Sequence, residues 1–237
     1  MLATKPTINF EHRPDTQDRE CFQDVMAKNC YRLPESFAKT DRIIDGGAHI
    51  GSFTVACLAR GAGHVWSYEP DPSNFGLLNT NTFGMIGRHL KNAALWRNDK
   101  AEPVRFSGYP GWATACGTIL PGCTVDGQNS EIPVSAVSLD DAILEATERG
   151  KYQLRLLKLD IEGAEFVTLG TSKCLHLVDE IVGEIHEIEP LPLLCKIQRF
   201  SEYTRNALAE YLNDQGFNVA LELNPTTPRL SLFFARR

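Results

Sequence analysis

Apolar and polar positions fall into blocks along this chain. From residue 41 onward the blocks switch between strand-like and helix-like periods. Arg42-Ile43-Ile44-Asp45 reads as a buried strand, and residues 51–60 as a short helix closed by Gly61. Val65-Trp66-Ser67-Tyr68-Glu69 is the next strand. Asp71 then offers an N-cap with Pro72 at the first helical position, and a helix is predicted to about Phe83. Residues 92–96 predict a third short strand, 139–149 a helix ended by Gly150, 154–160 a strong central strand running on toward Glu162, and 180–186 another strand. Tyr203, Ala207, Leu208, Tyr211 and Leu212 recur at helical spacing. Two runs, 217–223 and 230–235, flank Asn224-Pro225-Thr226-Thr227-Pro228. That turn is too short for a parallel crossover, so the runs should pair antiparallel. The alternation predicts an α/β fold with a mostly parallel sheet and crossover helices.

Two regions break the pattern. Residues 1–40 read as an N-terminal helical extension preceding a domain over 41–237. Residues 107–130 form a long glycine-rich stretch carrying Tyr109, Trp112, Cys116 and Cys123, between the hairpin strands expected at 103–106 and 133–137. A loop of that length in a compact domain is usually either functional or disordered. The chain has 237 residues, a net charge of −6 and a pI near 5.5. The acidic balance argues against nucleic acid as a partner, because phosphate binding wants a basic face. No apolar run approaches the roughly 18 residues of a membrane span, and residues 1–13 lack the apolar segment of a secretory signal. The seven cysteines are odd in number and form no C-x-x-C pair, which suits reduced thiols in a cytoplasmic protein, with neither a disulfide frame nor a zinc site.

The most informative segment is Asp45-Gly46-Gly47-Ala48-His49-Ile50-Gly51, a glycine-rich turn between a strand and a helix that lets a ligand approach the backbone. A dinucleotide fingerprint would have glycine where Ala48 stands, and Asp45 puts a carboxylate at the strand tip. That charge repels a pyrophosphate but suits a ligand bearing an ammonium and a sulfonium, so the loop favours S-adenosylmethionine over NAD. Glu69 ends the next strand, close to the roughly 20-residue offset at which an acidic residue reaches a ribose diol. Pro70 follows it, and Asn92 is placed to meet the adenine edge.

Five blocks recur in order: the turn above, Tyr68-Glu69-Pro70-Asp71-Pro72-Ser73-Asn74, Val137-Ser138-Leu139-Asp140, Leu157-Lys158-Leu159-Asp160-Ile161-Glu162-Gly163-Ala164-Glu165 and Gly183-Glu184-Ile185-His186. Together, over about residues 40–190, they resemble the FkbM family of methyltransferases. His49 departs from the asparagine more usual there. The resemblance implies S-adenosylmethionine as methyl donor and a small hydroxylated acceptor, such as a sugar or a polyketide-like molecule. By analogy it implies a Rossmann-like class I methyltransferase, with a mostly parallel seven-stranded sheet and an antiparallel C-terminal hairpin.

The same blocks bring a second group of charges together. Lys158, Asp160 and Glu162 share a face if the central strand runs through Glu162, and Glu184 and His186 share a face of the next strand. A Lys158–Glu184 pair would support them, and Glu165 would charge the first turn of the following helix. A hydroxyl acceptor needs a proton exit. His186 is the titrating group suited to neutral pH, Asp160 is the alternative, and Glu162 stands beside them. Asp160 and Glu162, with His186, can instead hold Mg²⁺ and acidify the hydroxyl. Tyr109 and Trp112 offer an aromatic wall or a loop anchor, and Pro190-Leu191-Pro192-Leu193-Leu194 an apolar lining or a packed connection. Competing readings are N- or carboxyl-methylation, a nicotinamide oxidoreductase, against which Ala48 and Asp45 count, and a non-catalytic S-adenosylmethionine-binding module.

Overall fold

The computed structural model describes residues 10–100, 103–108, 111–120, 131–187 and 197–237. Eleven strands and six α-helices are described among them: α1 Asp18–Met26, β1 Arg42–Gly46, α2 Ser52–Ala59, β2 His64–Tyr68, α3 Pro72–Asn81, β3 Arg88–Lys91, β4 Ala94–Trp96, β5 Val104–Phe106, β6 Ile132–Val134, β7 Ala136–Ser138, α4 Leu139–Ala146, β8 Leu156–Leu159, α5 Glu165–Gly170, β9 Glu180–His186, α6 Arg205–Asp214, β10 Asn218–Leu223 and β11 Leu230–Arg236. Seven strands form one sheet in the order β10-β11-β9-β8-β1-β2-β3. All neighbours are parallel except β11, which runs antiparallel to both β9 and β10. This is the expected Rossmann-like class I methyltransferase sheet with its C-terminal hairpin.

Side-chain alternation divides the apolar residues between the two faces of the sheet. Ile44, Trp66, Leu157, Ile181 and Phe233 enter one core with α4, α5 and α6. Their neighbours Ile43, Val65, Leu156, Val182 and Phe234 enter the other, with α2. Strands buried on both faces read as continuous apolar runs, which is why β1 and β8 stand out in the sequence. Residues 10–40 contain α1 as their only described helix, and Val25, Tyr31, Leu33 and Phe37 join the second core. The arm therefore packs into the same body as the sheet.

The edges differ from expectation. The strand beside β2 is Arg88–Lys91, while Ala94–Trp96 leaves the main sheet to pair with Ala136–Ser138. Arg88, His89 and Lys91 make β3 a half-polar edge strand, which no apolar run announces. The predicted hairpin partner at 133–137 divides around Ser135: β6 pairs with β5, and β7 with β4. Strand β8 ends at Leu159, short of Glu162.

The order reverses between β1 and β8, so the crevice outside their carboxyl ends is the ligand-binding point of such a sheet.

Candidate active site

Strand β1 carries the chain to that crevice, where it turns through Gly47, Ala48, His49 and Ile50 into α2. Gly47 has φ +73°, and a Cβ there would lie 1.9 Å from the Asp160 carbonyl oxygen. Only glycine lets the loop press this close to the end of β8. His49 also lies in the left-handed region, with φ 50°. Its N–H donates to Glu69 Oε2 at 2.8 Å, which helps hold that conformation.

Glu69 is buried at the end of β2. Its other oxygen accepts from the Asp71 N–H at 2.9 Å. Burial raises its pKa despite these bonds. The Asn74 amide also donates to that other oxygen, at 3.5 Å, and since a carboxylate offers about four lone-pair sites, one remains for a guest. Glu69, Pro70, Asn74, Leu95, Thr114 and Glu162 help line a cavity with about 550 Å³ of empty space. Asn92 is not among its lining residues. The Asn92 amide donates to the carbonyls of Glu69 and Pro70, at 2.8 and 3.1 Å, so it braces the end of β2.

Asp45 also sits differently from expectation. It is fully buried, and it lines neither of the two cavities at the crevice. One oxygen accepts from Thr54 Oγ1 at 2.7 Å, and Lys158 Nζ stands 3.3 Å from the other. Lys158 donates to the carbonyls of Gly46 and Gly47 at 3.1 and 2.6 Å. Burial alone would lower the Lys158 pKa, but the charges of Asp45 and Asp160 outweigh it and hold the pKa above its ordinary value. The expected Lys158–Glu184 pair is thus replaced by Lys158–Asp45. A buried carboxylate needs a counter-charge, and the chain supplies it under the loop.

Beyond β8 the chain bends, and Glu162 takes φ 54°. This turn, rather than strand alternation, brings the second cluster together. Asp160 Oδ2 accepts from the Tyr31 hydroxyl at 2.9 Å. Glu165 opens α5, accepts from the N–H groups of Ile161 and Gly163, and stands 3.2 Å from His186 Nδ1. His186 Nε2 lies 3.4 Å from Glu162 and 3.8 Å from Glu184. Burial favours neutral imidazole, but Glu162 and Glu165 together drive the His186 pKa well above its usual range. It is held as the cation, so the expectation of a neutral histidine base does not fit this geometry. Burial pushes Glu162 up to about 7, with His186 opposing, and Glu184 up to about 8, with Asp160 reinforcing. Ligand atoms of Asp160, Glu162 and His186 all lie within 4.8 Å of one another.

A second cavity, with about 1100 Å³ of empty space, opens between α1, the glycine loop and the β10–β11 turn. The two cavities share Gly47, His49, Ala115 and Asp160. His186 lines neither. Cys21 and Cys30 line the second cavity, and burial pushes each thiol up to about 12, so neither is a thiolate at neutral pH.

Residues 114–119 roof the first cavity. Thr114 donates to Asp18 Oδ1 at 2.7 Å, its carbonyl accepts from Asn74 at 3.0 Å, and Thr118 Oγ1 donates to the Glu162 carbonyl at 2.8 Å. Asp18 is fully buried and also takes Arg13 in a two-pronged pair at 2.9 Å, with His49 Nε2 at 3.2 Å. Burial would raise the Asp18 pKa, but bonds from His49, Arg13 and Thr114 hold it well below the usual carboxylate range. The Trp112 side chain is exposed, and its carbonyl accepts from the Gln17 N–H, so the backbone anchors this loop to the arm. Tyr109, Cys123 and residues 190–194 lie outside the described residues.

The profile of the methyltransferase FkbM domain matches residues 45–219. The chain belongs to the FkbM methyltransferase family. It is an S-adenosylmethionine-dependent methyltransferase. Among curated proteins none matches. Several solved structures share its outline at low identity. Precorrin-6y C5,15-methyltransferase from Geobacter metallireducens is 11% identical, with a TM-score of 0.48, covering 97% of this chain and 94% of its own. An rRNA methylase from Streptococcus thermophilus is 12% identical, with a TM-score of 0.45, over 95% and 97%. Aeropyrum pernix fibrillarin, solved with S-adenosyl-L-methionine, is 12% identical, with a TM-score of 0.45, over 86% and 68%. The sheet order and the family match, not these likenesses, carry the fold class.

Of the site residues read from the sequence of this FkbM-family chain, Gly47, Ala48, Glu69, Pro70, Asp160 and Glu162 line one or both cavities, and Gly46, Gly51 and His186 line neither. The sequence passed over Tyr31, Asp18, Asn74, Ser52 and Thr114. Asn74 sits inside one of the matched blocks. Ser52 directly follows the glycine loop, while Tyr31, Asp18 and Thr114 reach the site from distant segments.

Proposed function

We propose that this enzyme transfers a methyl group to a hydroxyl of a small metabolite or sugar. The reading rests on one observation: the cavity beneath Glu69 and the larger second cavity meet at Asp160. The first suits the donor. Glu69, in its wall, presents a fixed, buried carboxylate with a free lone pair to a ribose diol. Gly46, Gly47, Ala48 and Gly51 shape the loop, Pro70 walls the base, and Asn92 braces that wall. S-adenosylmethionine supplies a methyl already activated on a sulfonium. Alignment and a proton exit are left to the chain.

Asp160, at the junction, orients the acceptor hydroxyl. Glu162 lines the donor cavity and takes the proton, since a base with a pKa near 7 is matched to neutral pH. His186 is a positioning residue. Its positive charge stabilises the Glu162 carboxylate, while Glu165 fixes its ring. A second reading is a divalent cation on Asp160, Glu162 and His186, whose ligand atoms are close enough. The oxygens suit Mg²⁺, but His186 must first lose the proton that Glu165 and Glu162 stabilise. Methyl transfer that stops on chelation and returns with Mg²⁺ would favour that reading.

The net charge of −6 disfavours nucleic acid as acceptor. Among the described residues no helix is long and apolar enough to cross a membrane. Cys21, Cys30, Cys57, Cys116 and Cys174 are free thiols, consistent with a reducing, cytoplasmic setting. Methyl-labelled S-adenosylmethionine, incubated with the enzyme and a panel of sugars and polyketide alcohols, should label a hydroxyl oxygen, as read by mass spectrometry. Label found only on nitrogen, carbon or carboxylate would overturn the assignment.

A further inference from the structure

We propose that the second cavity recognises an acceptor with an apolar body and a positively charged group, and turns away acceptors bearing phosphate or carboxylate. This rests on reading that cavity as the acceptor site.

Its wall is built for such a molecule. Val25, Phe53, Pro225 and Leu232 supply apolar surface, and Leu223 is 63% exposed at the rim. Such a patch costs exposure to water unless a guest covers it. Ser52 also lines the cavity. Its hydroxyl is buried and has no hydrogen-bond partner among the described residues, and Ser52 itself is only 6% exposed. A buried hydroxyl without a partner is costly, and a polar group on a guest would satisfy it.

The charges are one-sided. Asp160 and Glu184 stand in the inner wall with Lys158, and behind them Asp45, Glu162 and Glu165 outnumber the one further cation, His186. Among the described residues Lys158 is the only lysine or arginine in the cavity wall, and it is committed to Asp45 and the carbonyls of Gly46 and Gly47. His49 faces Asp18. At the rim, Asp24 and Glu222 hold Lys28 and Arg32, each at 2.6 Å. An anionic guest would thus meet carboxylates with no uncommitted lysine or arginine in the wall. A cationic guest would meet the side-chain oxygens of Asp160 and Glu184, whose nearest cations stand 3.9 and 3.8 Å away, and its charge would favour the ionised form of Glu184 that burial otherwise disfavours.

The test uses the full chain with EDTA present, so that no resident cation masks the site. Calorimetry first measures binding of S-adenosylhomocysteine. With that ligand saturating, the protein is titrated with octylammonium, octanol, octanoate and octyl phosphate, all below their micelle concentrations. Octylammonium should bind at least tenfold more tightly than octanol, and the two anions more weakly than octanol. Glu184→Gln should cut the octylammonium preference several-fold, and added salt should cut it in both proteins. Anions binding as well as octylammonium, no probe binding at all, or a preference unchanged by Glu184→Gln would each overturn the proposal while leaving the donor site standing. Failure of S-adenosylhomocysteine to bind would instead remove the reading on which it rests.

Discussion

Replacing Asp18 with asparagine tests how the arm is held over the site. Asp18 is fully buried and joins Arg13, His49 and Thr114. Removing one partner of a buried pair costs about 3–5 kcal/mol. The Arg13 side chain is 26% exposed and can turn to water, so the low end applies, about 3 kcal/mol. For a chain of this length that corresponds to a fall in Tm of about 6–12 °C. The pH dependence separates charge from shape. Because the folded pKa of Asp18 is depressed, its contribution is fully present above the unfolded value and is lost as pH falls toward the folded one. With an unfolded pKa of about 3.9, the gap between wild type and Asp18→Asn should be about 1 kcal/mol smaller at pH 3 than at pH 7. Urea unfolding at the two pH values measures both quantities. A loss below about 1 kcal/mol at pH 7, or a gap that does not narrow in acid, would refute the pairing.

The remaining predictions concern the crevice. Glu69→Ala should weaken S-adenosylhomocysteine binding by about 1–3 kcal/mol in calorimetry, and unchanged affinity would remove Glu69 from the donor site. Gly47→Ala should cost at least about 2 kcal/mol on thermal unfolding, from the left-handed backbone and the clash with the Asp160 carbonyl; a fully stable variant would contradict that close approach. Wild-type methyl transfer should rise with pH through about 7, as the Glu162 carboxyl ionises to its accepting form. His186→Ala removes the cation that opposes burial, so that rise should move to higher pH, with about tenfold less activity at pH 7 for each unit of displacement. S-adenosylhomocysteine affinity should stay unchanged. A pH profile that does not move would sink the role given to His186.

Much of the fold was legible because its central strands are buried on both faces. Strands β1 and β8 announce themselves as apolar runs, and the hairpin β10–β11 follows from a turn too short for a crossover. Edge strand β3 was not legible, since Arg88, His89 and Lys91 satisfy water and sheet together and leave no period to read. The glycine loop and Glu69 were visible through the chemistry a nucleoside demands. The burial of Asp45 against Lys158 was not legible, because that counter-ion lies more than a hundred residues away and only the β1–β8 register brings the two together. The convergence of Asp160, Glu162 and His186 was anticipated on a false premise. A left-handed turn at Glu162 achieves what a longer strand was expected to do. Tyr31 and Asp18 could not be found, because an arm that folds back over a site has no local signature.

The roof of residues 114–119 makes that arm and the donor two parties to one equilibrium. Thr114 borders the donor cavity and bonds to Asp18, so any ligand that steadies the roof must steady the arm, and loosening the arm must weaken the ligand by the same factor. Residues 10–40 are then a thermodynamic partner of the reaction, although none of them need touch the methyl donor. Whatever grips or cuts the arm would set how firmly the enzyme holds its spent donor, and so how soon it is free for another turn.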